Sequence, residues 1–174
     1  TSLNVRAGMW RRSNELNRLR RENVVYTKIK RPPREQVEAA SQHSVADLLE
    51  SMAVIDGSAG LMKPNMRPVN LGLAFTGPAV TVRHIPGDNT MIYVALHVAQ
   101  RGDVLVFTSG GATQCPQWGD VSATEAIHKG IAGVVVDGSI RDSAFMIEHN
   151  FPVWSTAISA SHTQKARPGA VNVP

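Results

Sequence analysis

The regular alternation of strand-like and helix-like segments from Phe75 to Ser159 is the strongest constraint on the fold of this chain. Four apolar, β-rich segments are predicted strands: "FTGPAVTVRHI", "DVLVFTS", "IAGVVVDG" and "FPVWSTAIS". Between them lie three predicted helices, "NTMIYVALHVAQ", "DVSATEAIHKG" and "IRDSAFMIEHN". Because strands that alternate with helices are joined by βαβ crossovers, the pattern predicts an α/β fold with a parallel or mixed sheet.

Side-chain periodicity predicts which faces of these elements are buried. Val80, Val82 and His84 alternate along the first predicted strand and therefore share one face. The next helix carries an apolar stripe at helical spacing, formed by Met91, Ile92, Ala95, Leu96 and Ala99. Earlier in the chain, residues 34–52 predict a helix in two pieces, with Ser44 as the N-cap of the second.

In residues 57–72 and 110–119, glycine, proline and asparagine recur without the spacing of a helix or a strand, which predicts loops. Pro32 and Pro33 mark a further boundary, because proline stops a helix. We therefore predict an N-terminal arm over residues 1–33 and one α/β domain over residues 34–174.

The positive charge of the chain is concentrated at its N-terminal end. Residues 1–35 carry ten Lys or Arg against three Glu, whereas the rest of the chain has a net charge of −3. Such an arm can contact phosphates, but no aromatic interleaving or reader motif accompanies the charge. We do not expect nucleic acid as a partner.

Composition also bears on the compartment. No run approaches the roughly 20 apolar residues that span a bilayer, and the basic, polar N-terminus lacks the apolar core of a signal peptide. Cys115 is the single cysteine, which excludes an intrachain disulfide and is typical of a reducing compartment. We expect a cytoplasmic protein without a membrane partner.

Ligands of open α/β sheets bind beyond the carboxyl ends of the strands, where helix N-termini also point. Three predicted loops lie at that edge: "PGDNT", "SGGATQCPQWGD" and "DGSIRD". The helix from Asp120 runs away from this edge, and the strand after it runs back. Asp120 is therefore predicted to lie beside Arg141 and Asp142, although twenty residues separate it from Arg141.

These side chains suit chemistry on a small α-keto acid. The Asp142 carboxylate is a hard oxygen ligand of the kind that Mg²⁺ or Mn²⁺ prefers. The planar guanidinium of Arg141 can pair with a carboxylate or an enolate oxygen. Asp120 could hold a metal-bound water and pass a proton through it, and the backbone N–H groups at the start of its helix could receive the substrate carboxylate.

Structural interpretations of the same residues stay open. Asp120 and Asp142 can cap helices or interact with helix dipoles, and Asn89 can be an ordinary N-cap. The histidines show no metal-ligand spacing and Cys115 has no evident base, so we interpret them as structural. No dinucleotide fingerprint, P-loop or nucleophile elbow is present.

Longer stretches resemble a known family. The stretches are "GLMKPNMRPV", "GPAVTVRHIPGDNTM", "GDVLVF", "WGDVSATEAIHKGIAGVVVDGSIRD", "FPVWSTAIS" and "GAVNVP". They are similar to the class II pyruvate aldolases of the RraA-like superfamily, which cleave 4-hydroxy-4-methyl-2-oxoglutarate and 4-carboxy-4-hydroxy-2-oxoadipate. Asp120, Arg141 and Asp142 meet the family motif D-x₂₀-R-D.

The resemblance implies a role for each motif residue. Asp142 would ligate a divalent metal, Mg²⁺ or Mn²⁺, Arg141 would contact the pyruvyl oxygen and stabilise the enolate, and Asp120 would position a metal-bound water as acid or base. The pyruvyl end would be held by Asn89 and by the amides of Gly119, Asp120, Val121 and Ser122. Retro-aldol cleavage would release pyruvate, and oxaloacetate decarboxylation would use the same enolate.

The resemblance also implies a swivelling β/β/α domain that forms a homotrimer or homohexamer, with sites near subunit interfaces. Family chains normally continue past "GAVNVP", so we expect this chain to be a fragment that lacks any site residue from a C-terminal tail. Two other functions stay open. One is a related enzyme acting on another keto or hydroxy acid, and the other is a non-catalytic RraA-like regulator that binds a ribonuclease or another protein.

Overall fold

The computed structural model describes residues 23–56, 61–163, 165 and 168–173. Its strands are β1 (Val24–Val25), β2 (Arg67–Pro68), β3 (Ala79–Arg83), β4 (Val104–Thr108), β5 (Pro116–Trp118), β6 (Gly133–Ile140), β7 (Val153–Ile158) and β8 (Ala170–Val171). Its helices are α1 (Arg34–Ser41), α2 (Val45–Asp56), α3 (Thr90–Val98), α4 (Asp120–Lys129) and α5 (Ser143–Glu148). The predicted α/β fold is confirmed.

The strands form one mixed sheet in the order β1-β8-β3-β4-β6-β7-β2, with β5 paired to β6 outside this path. The four central strands, β3, β4, β6 and β7, pair in parallel. Helices α3, α4 and α5 lie in the connections between them, as βαβ crossovers require. β8 runs antiparallel to β3, and β2 runs antiparallel to β7.

The main core lies where these three helices cover one face of the sheet. Val80, Val82 and His84 are all buried, as their alternation predicted, and the apolar stripe on α3 is buried along its whole length. Trp118 of β5 lies between Phe107 and Phe151, with ring centroids 5.4 and 6.3 Å away. This packing fixes the start of α4, which begins two residues after Trp118, at Asp120.

A smaller core lies against the opposite face. Met66, Val104 and Val135 are buried there, with Phe75 and Trp154 packed against them. Helix α2 borders an apolar hollow of about 520 Å³ on this side. The predicted N-cap of α2 is confirmed, because Ser44 Oγ accepts a hydrogen bond from the Asp47 N–H at 3.1 Å.

The described part of the predicted arm lies against the domain. β1 pairs in parallel with β8, and Arg31 donates to both carboxylate oxygens of the buried Asp103, at 2.8 and 2.6 Å. Residues 1–22 lie outside the described residues, and the domain boundary stays a prediction. Within the described residues, no helix combines the length and the apolarity needed to cross a bilayer.

Both predicted loops contain short strands, so the loop predictions are wrong at these positions. β5 lies within 110–119 and pairs with Ser139 and Ile140, beyond an irregularity in β6. β2 lies within 57–72, of which residues 57–60 are outside the described residues, and it pairs with β7. Segments of two or three residues are too short to show a period, so only pairing with a distant strand reveals them.

Candidate active site

Asp120, Arg141 and Asp142 meet where β5 and β6 end and α4 begins. The backbone N–H of Arg141 donates to the Trp118 carbonyl oxygen at 2.9 Å, which extends the β5–β6 pairing past the end of both strands. The N–H of Asp120 donates to Asp142 Oδ2 at 3.2 Å, and Arg141 Nε donates to the same oxygen at 3.1 Å. The structure therefore brings the two ends of the D-x₂₀-R-D motif together.

Gly119 lies where the two halves of the site approach each other closely. A Cβ atom at this position would lie 2.6 Å from Asp142 Oδ2 and 3.2 Å from both Cγ and Nε of Arg141. The backbone of Gly119 is extended, with φ −158° and ψ −169°. Glycine is therefore needed at this position because any side chain would clash with Asp142 and Arg141. The extended backbone itself is open to any residue.

Asp142 occupies an unusual backbone conformation between β6 and α5. Its φ of 53° and ψ of 37° lie in the left-handed region, which only glycine, asparagine and aspartate visit at low cost. The prediction that the last helix includes Arg141 and Asp142 is wrong, because a left-handed residue cannot continue a right-handed helix. Asp142 instead turns the chain, and α5 begins at Ser143.

The Asp142 carboxylate fits a hydrated divalent cation. Its Oδ2 accepts the two hydrogen bonds above, whereas its Oδ1 accepts none from the described residues, and the side chain is 38% exposed. No cluster of three or more His, Cys, Asp or Glu side chains occurs in the described part of the chain. Mg²⁺ and Mn²⁺ can bind through one or two carboxylates and complete their shells with water, whereas a structural zinc site needs more protein ligands.

A cavity of about 280 Å³ opens beside these residues. Its lining includes every residue predicted to bind substrate: Asn89, Gly119, Asp120, Val121, Ser122 and Arg141. Asp142 does not line the cavity but lies directly behind Gly119. The volume suits a small molecule.

Asn89 occupies the N-cap position of α3, as its sequence position suggests, but its side chain does not cap the helix. Its side chain makes no capping hydrogen bond to α3; Asp88 Oδ1 accepts from the Thr90 N–H instead, at 2.8 Å. Asn89 is buried, and its Oδ1 has no hydrogen-bond partner among the described residues. Asn89 also lines the cavity, where the N–H groups of its side-chain amide can donate to a ligand.

The start of α4 offers fewer free amides than the sequence suggests. The N–H of Asp120 is already donated to Asp142, and the N–H of Val121 donates to Asp120 Oδ1 at 2.7 Å. A substrate carboxylate that bound to these groups would have to displace one of the two acidic side chains.

The lining residues that were not predicted from the sequence include Tyr93, Gln117, His162, Thr163 and Lys165. Tyr93 lies four residues after Asn89 on the same face of α3, a spacing that could have indicated it. Gln117 lies in the unpredicted strand β5. The other three precede the last strand, where the sequence shows no periodic signal.

A buried polar chain supports Gln117 behind the cavity. Gln117 Oε1 lies 3.0 Å from His84 Nε2, and Gln117 Nε2 donates to Ser109 Oγ. Burial lowers the pKa of His84 despite opposing hydrogen bonds to Ile85 and Gln117. A neutral His84 can donate through Nε2 to the Gln117 oxygen and so hold the amide in one orientation.

Comparison with known proteins places this geometry in a family. Residues 45–174 match the RraA-like family Aldolase/RraA. The chain belongs to this family. The fold and the family predicted from the sequence are therefore confirmed.

The names of the similar proteins include putative aldolases and a member of an RNase inhibitor family. A Halalkalibacterium halodurans protein named "Putative 4-hydroxy-4-methyl-2-oxoglutarate aldolase" is 35% identical over 69% of this chain and 57% of its own length. A Cupriavidus necator protein with the same name is 32% identical over 68% of this chain and 71% of its own. A Streptomyces coelicolor structure, titled as an unusual member of the RNase ES inhibitor RraA family, is 30% identical over 84% of this chain and 75% of its own, with a TM-score of 0.71. The match to the first of these relatives spans little more than half of that protein.

Proposed function

We propose that this RraA-like chain is a divalent-metal-dependent pyruvate aldolase that cleaves substrates of the 4-hydroxy-4-methyl-2-oxoglutarate type. One observation carries the proposal. Asp142 accepts a hydrogen bond from the first residue of α4, and the side chains of Arg141 and Asp142 lie so close to Gly119 that no side chain fits there. Helix caps alone would not require two chain segments to approach so closely beside a cavity.

Each residue has a distinct task in this reaction. Arg141 would hold the pyruvyl oxygen that becomes the enolate oxygen as the bond between C3 and C4 breaks, because its guanidinium can stabilise the developing negative charge. Asp120 would accept the proton of the C4 hydroxyl, directly or through water, and a proton would then return to C3 to give pyruvate. Asn89 would hold the keto acid through its buried amide.

Asp142 is the residue that would bind the metal. Mg²⁺ or Mn²⁺ at its free Oδ1 would supply positive charge that polarises the substrate carbonyl. The hydrogen bonds from Arg141 and from the Asp120 amide to Oδ2 would fix the orientation of the carboxylate.

The names of the curated relatives support the aldolase reaction. The same enolate chemistry would also allow decarboxylation of oxaloacetate. As in the resemblance described above, we expect a homotrimer or homohexamer, which light scattering would distinguish.

The test is pyruvate release by the folded protein from 4-hydroxy-4-methyl-2-oxoglutarate and from oxaloacetate. We expect release with Mg²⁺ or Mn²⁺, loss of release with a chelator, and recovery when metal is restored. Absence of release at every metal concentration, from a sample shown to be folded by circular dichroism, would contradict the proposal.

A regulatory function is the second candidate, because the similar Streptomyces coelicolor structure is titled as a member of an RNase inhibitor family. It predicts binding to a ribonuclease that survives Arg141→Ala, since a protein contact does not need an enolate stabiliser. Ribonuclease inhibition without any pyruvate release would favour this function over the aldolase.

A further inference from the structure

The basic segment at the start of the chain, residues 1–22, has no function in the family motif or in the proposed mechanism. It carries six Arg and two Glu, which gives it a net charge of +4. The match to the family model begins only at residue 45. The family resemblance therefore does not explain this concentration of positive charge.

The described residues that follow, 23–31, form a strap along the edge of the sheet. At its start, Asn23 Oδ1 accepts a hydrogen bond from the Gly169 N–H at 3.2 Å, and the N–H of the next residue donates to the Gly169 carbonyl oxygen at 3.1 Å. At its end, Arg31 pairs with both carboxylate oxygens of the buried Asp103. These contacts fix the point at which the basic segment joins the domain.

The basic segment joins at the same edge of the sheet as the candidate active site. Ala170 of β8 pairs with both β1 and Arg83, the last residue of β3, so the strap begins at the carboxyl ends of the parallel strands. Gly169 lies against the start of α3, because a Cβ atom there would be 2.4 Å from Met91 Cγ. Asn89, two residues before Met91, lines the cavity. The strap therefore begins close to the cavity.

The charges of the cavity itself balance. Among the described residues, Asp120, Arg141 and Lys165 line the cavity and Asp142 lies beside it. With histidine counted as neutral, two positive charges accompany two negative ones. The chain from residue 36 onward has a net charge of −3. An anionic keto acid therefore gains little attraction from the domain before a metal binds.

Covalent geometry keeps the nearest arginines of the basic segment close to this edge. An extended chain spans at most ~3.6 Å per residue, so the Cα atoms of Arg21, Arg20 and Arg18 lie within about 7, 11 and 18 Å of the Asn23 Cα in any conformation. Exposed charges act over a Debye length of roughly 30 Å at an ionic strength of about 0.01 M. Their positive potential therefore extends to the cavity at low ionic strength.

We propose that Arg18, Arg20 and Arg21, held at this edge by the strap, raise the positive potential at the cavity and so concentrate anionic keto acids there. This inference rests on the proposed aldolase function. The three arginines act at a distance through their charge, so they are neither catalytic residues nor direct contacts of the substrate. They should lower KM and leave kcat unchanged, because a potential that acts on free substrate raises its local concentration.

The test is a full-length triple variant, Arg18→Gln, Arg20→Gln and Arg21→Gln, assayed at low and high ionic strength. Three unit charges on the order of 15 Å away in water change the local concentration of a monoanion about 2- to 4-fold, and that of a dianion by the square of this factor. At an ionic strength of about 0.01 M, kcat/KM should fall about 2- to 4-fold for exchange of pyruvate methyl protons with D₂O, and about 4- to 16-fold for oxaloacetate. At about 1 M, the variant and the wild type should agree.

Two control variants isolate the effect of charge at this position. The first replaces the same three arginines with lysine, which keeps the charge, and should retain wild-type kinetics. The second combines Lys30→Gln, Arg34→Gln and Lys63→Gln. It removes the same charge from exposed residues that do not line the cavity, and it should have little effect on either reaction.

Binding of Mn²⁺, followed by electron paramagnetic resonance, gives a readout that does not require turnover. A positive potential repels a cation, so the triple Gln variant should bind Mn²⁺ about 4- to 16-fold more tightly than the wild type at an ionic strength of about 0.01 M. A loss of structure would weaken the binding of both substrate and metal. Changes of opposite sign for the anion and the cation therefore identify an effect of charge.

Equal kcat/KM and equal Mn²⁺ affinity in the triple Gln variant and the wild type at low ionic strength would show that the inference is wrong and leave the aldolase proposal intact. A loss of activity that persists at about 1 M would also refute it, because salt screens an effect of exposed charge. If the wild-type protein neither exchanges pyruvate protons nor releases pyruvate from oxaloacetate, the aldolase proposal fails and the inference about keto acids fails with it.

Discussion

Replacing Gly119 with alanine adds one methyl group at the contact between α4 and the Arg141–Asp142 pair. The new Cβ would lie 2.6 Å from Asp142 Oδ2, whereas ordinary van der Waals contact begins at 3.4 Å. The carboxylate would therefore have to withdraw by the difference, about 0.8 Å. Cγ and Nε of Arg141, each 3.2 Å from the new Cβ, would also have to shift by a few tenths of an ångström.

The expected effect of Gly119→Ala is large on catalysis and small on stability. A displacement of about 1 Å in a catalytic group can cost on the order of 100-fold in rate, because the reacting atoms leave their productive geometry. The extended backbone of Gly119 accepts alanine, and the partly exposed Asp142 side chain can move into solvent. Mild overpacking and a poorer N-cap should together lower the free energy of unfolding by about 1–2 kcal/mol.

The assay is steady-state pyruvate release with saturating Mg²⁺, together with urea unfolding of the same samples. Glu125→Ala, on the exposed face of the same helix, is the matched control and should be nearly neutral in both measurements. A Gly119→Ala protein with wild-type kcat/KM would refute the reasoning, because the site would then not depend on this close approach. A protein that fails to fold would show that the contact is a packing requirement of the fold.

Three further predictions test other parts of the site. Arg141→Ala should reduce kcat/KM at least 100-fold and change the unfolding free energy by less than about 1 kcal/mol, because a half-exposed ion pair contributes little stability. Arg141→Lys should also have low activity, since a point charge cannot reproduce the planar guanidinium. If Arg141→Ala unfolds the protein, Arg141 is a structural residue. Asp142→Asn should abolish metal-dependent activity and the Mn²⁺ binding measured by electron paramagnetic resonance, but it should retain stability because asparagine accepts the left-handed conformation. Asp142→Ala should lower the free energy of unfolding by a further ~1 kcal/mol or more. Unchanged Mn²⁺ affinity in Asp142→Asn would exclude Asp142 as the ligand. Burial lowers the pKa of His84 in the folded protein below its ordinary 6.5, so the stability that depends on neutral His84 is present above pH 6.5 and is lost as the pH falls through the lowered pKa. Urea unfolding across pH 5 to 8 should therefore show a smaller loss of stability at low pH in His84→Gln than in the wild type. Equal pH dependence of the two proteins would contradict this assignment.

Much of the fold follows from local pattern. The apolar stripe from Met91 to Ala99 predicts which face of α3 is buried, because the period of a helix repeats along the sequence. The alternation of Val80, Val82 and His84 likewise predicts the buried face of β3. The glycine after Lys129 adopts the left-handed conformation that ends α4, as its position predicts.

The site depends partly on local sequence patterns and partly on contacts between segments that are distant in the sequence. The crossover topology predicts that Asp120 and Arg141 meet, because α4 runs away from the ligand edge of the sheet and β6 runs back to it. Nothing in the sequence indicates that Pro116–Trp118 pairs with β6, or that Asn89 leaves its amide oxygen without a partner. Lys165 lines the cavity beside Tyr93 of α3, although the two residues are far apart in sequence.

The sequence by itself determined the α/β class, the buried faces of the main elements and the identity of the three motif residues. Only the tertiary structure decided the left-handed turn at Asp142, the absence of space at Gly119 and the lysine on the cavity wall. The physical reason is that periodicity and capping act between residues a few positions apart. Steric exclusion and charge pairing, in contrast, act between segments that become neighbours only when the sheet has formed.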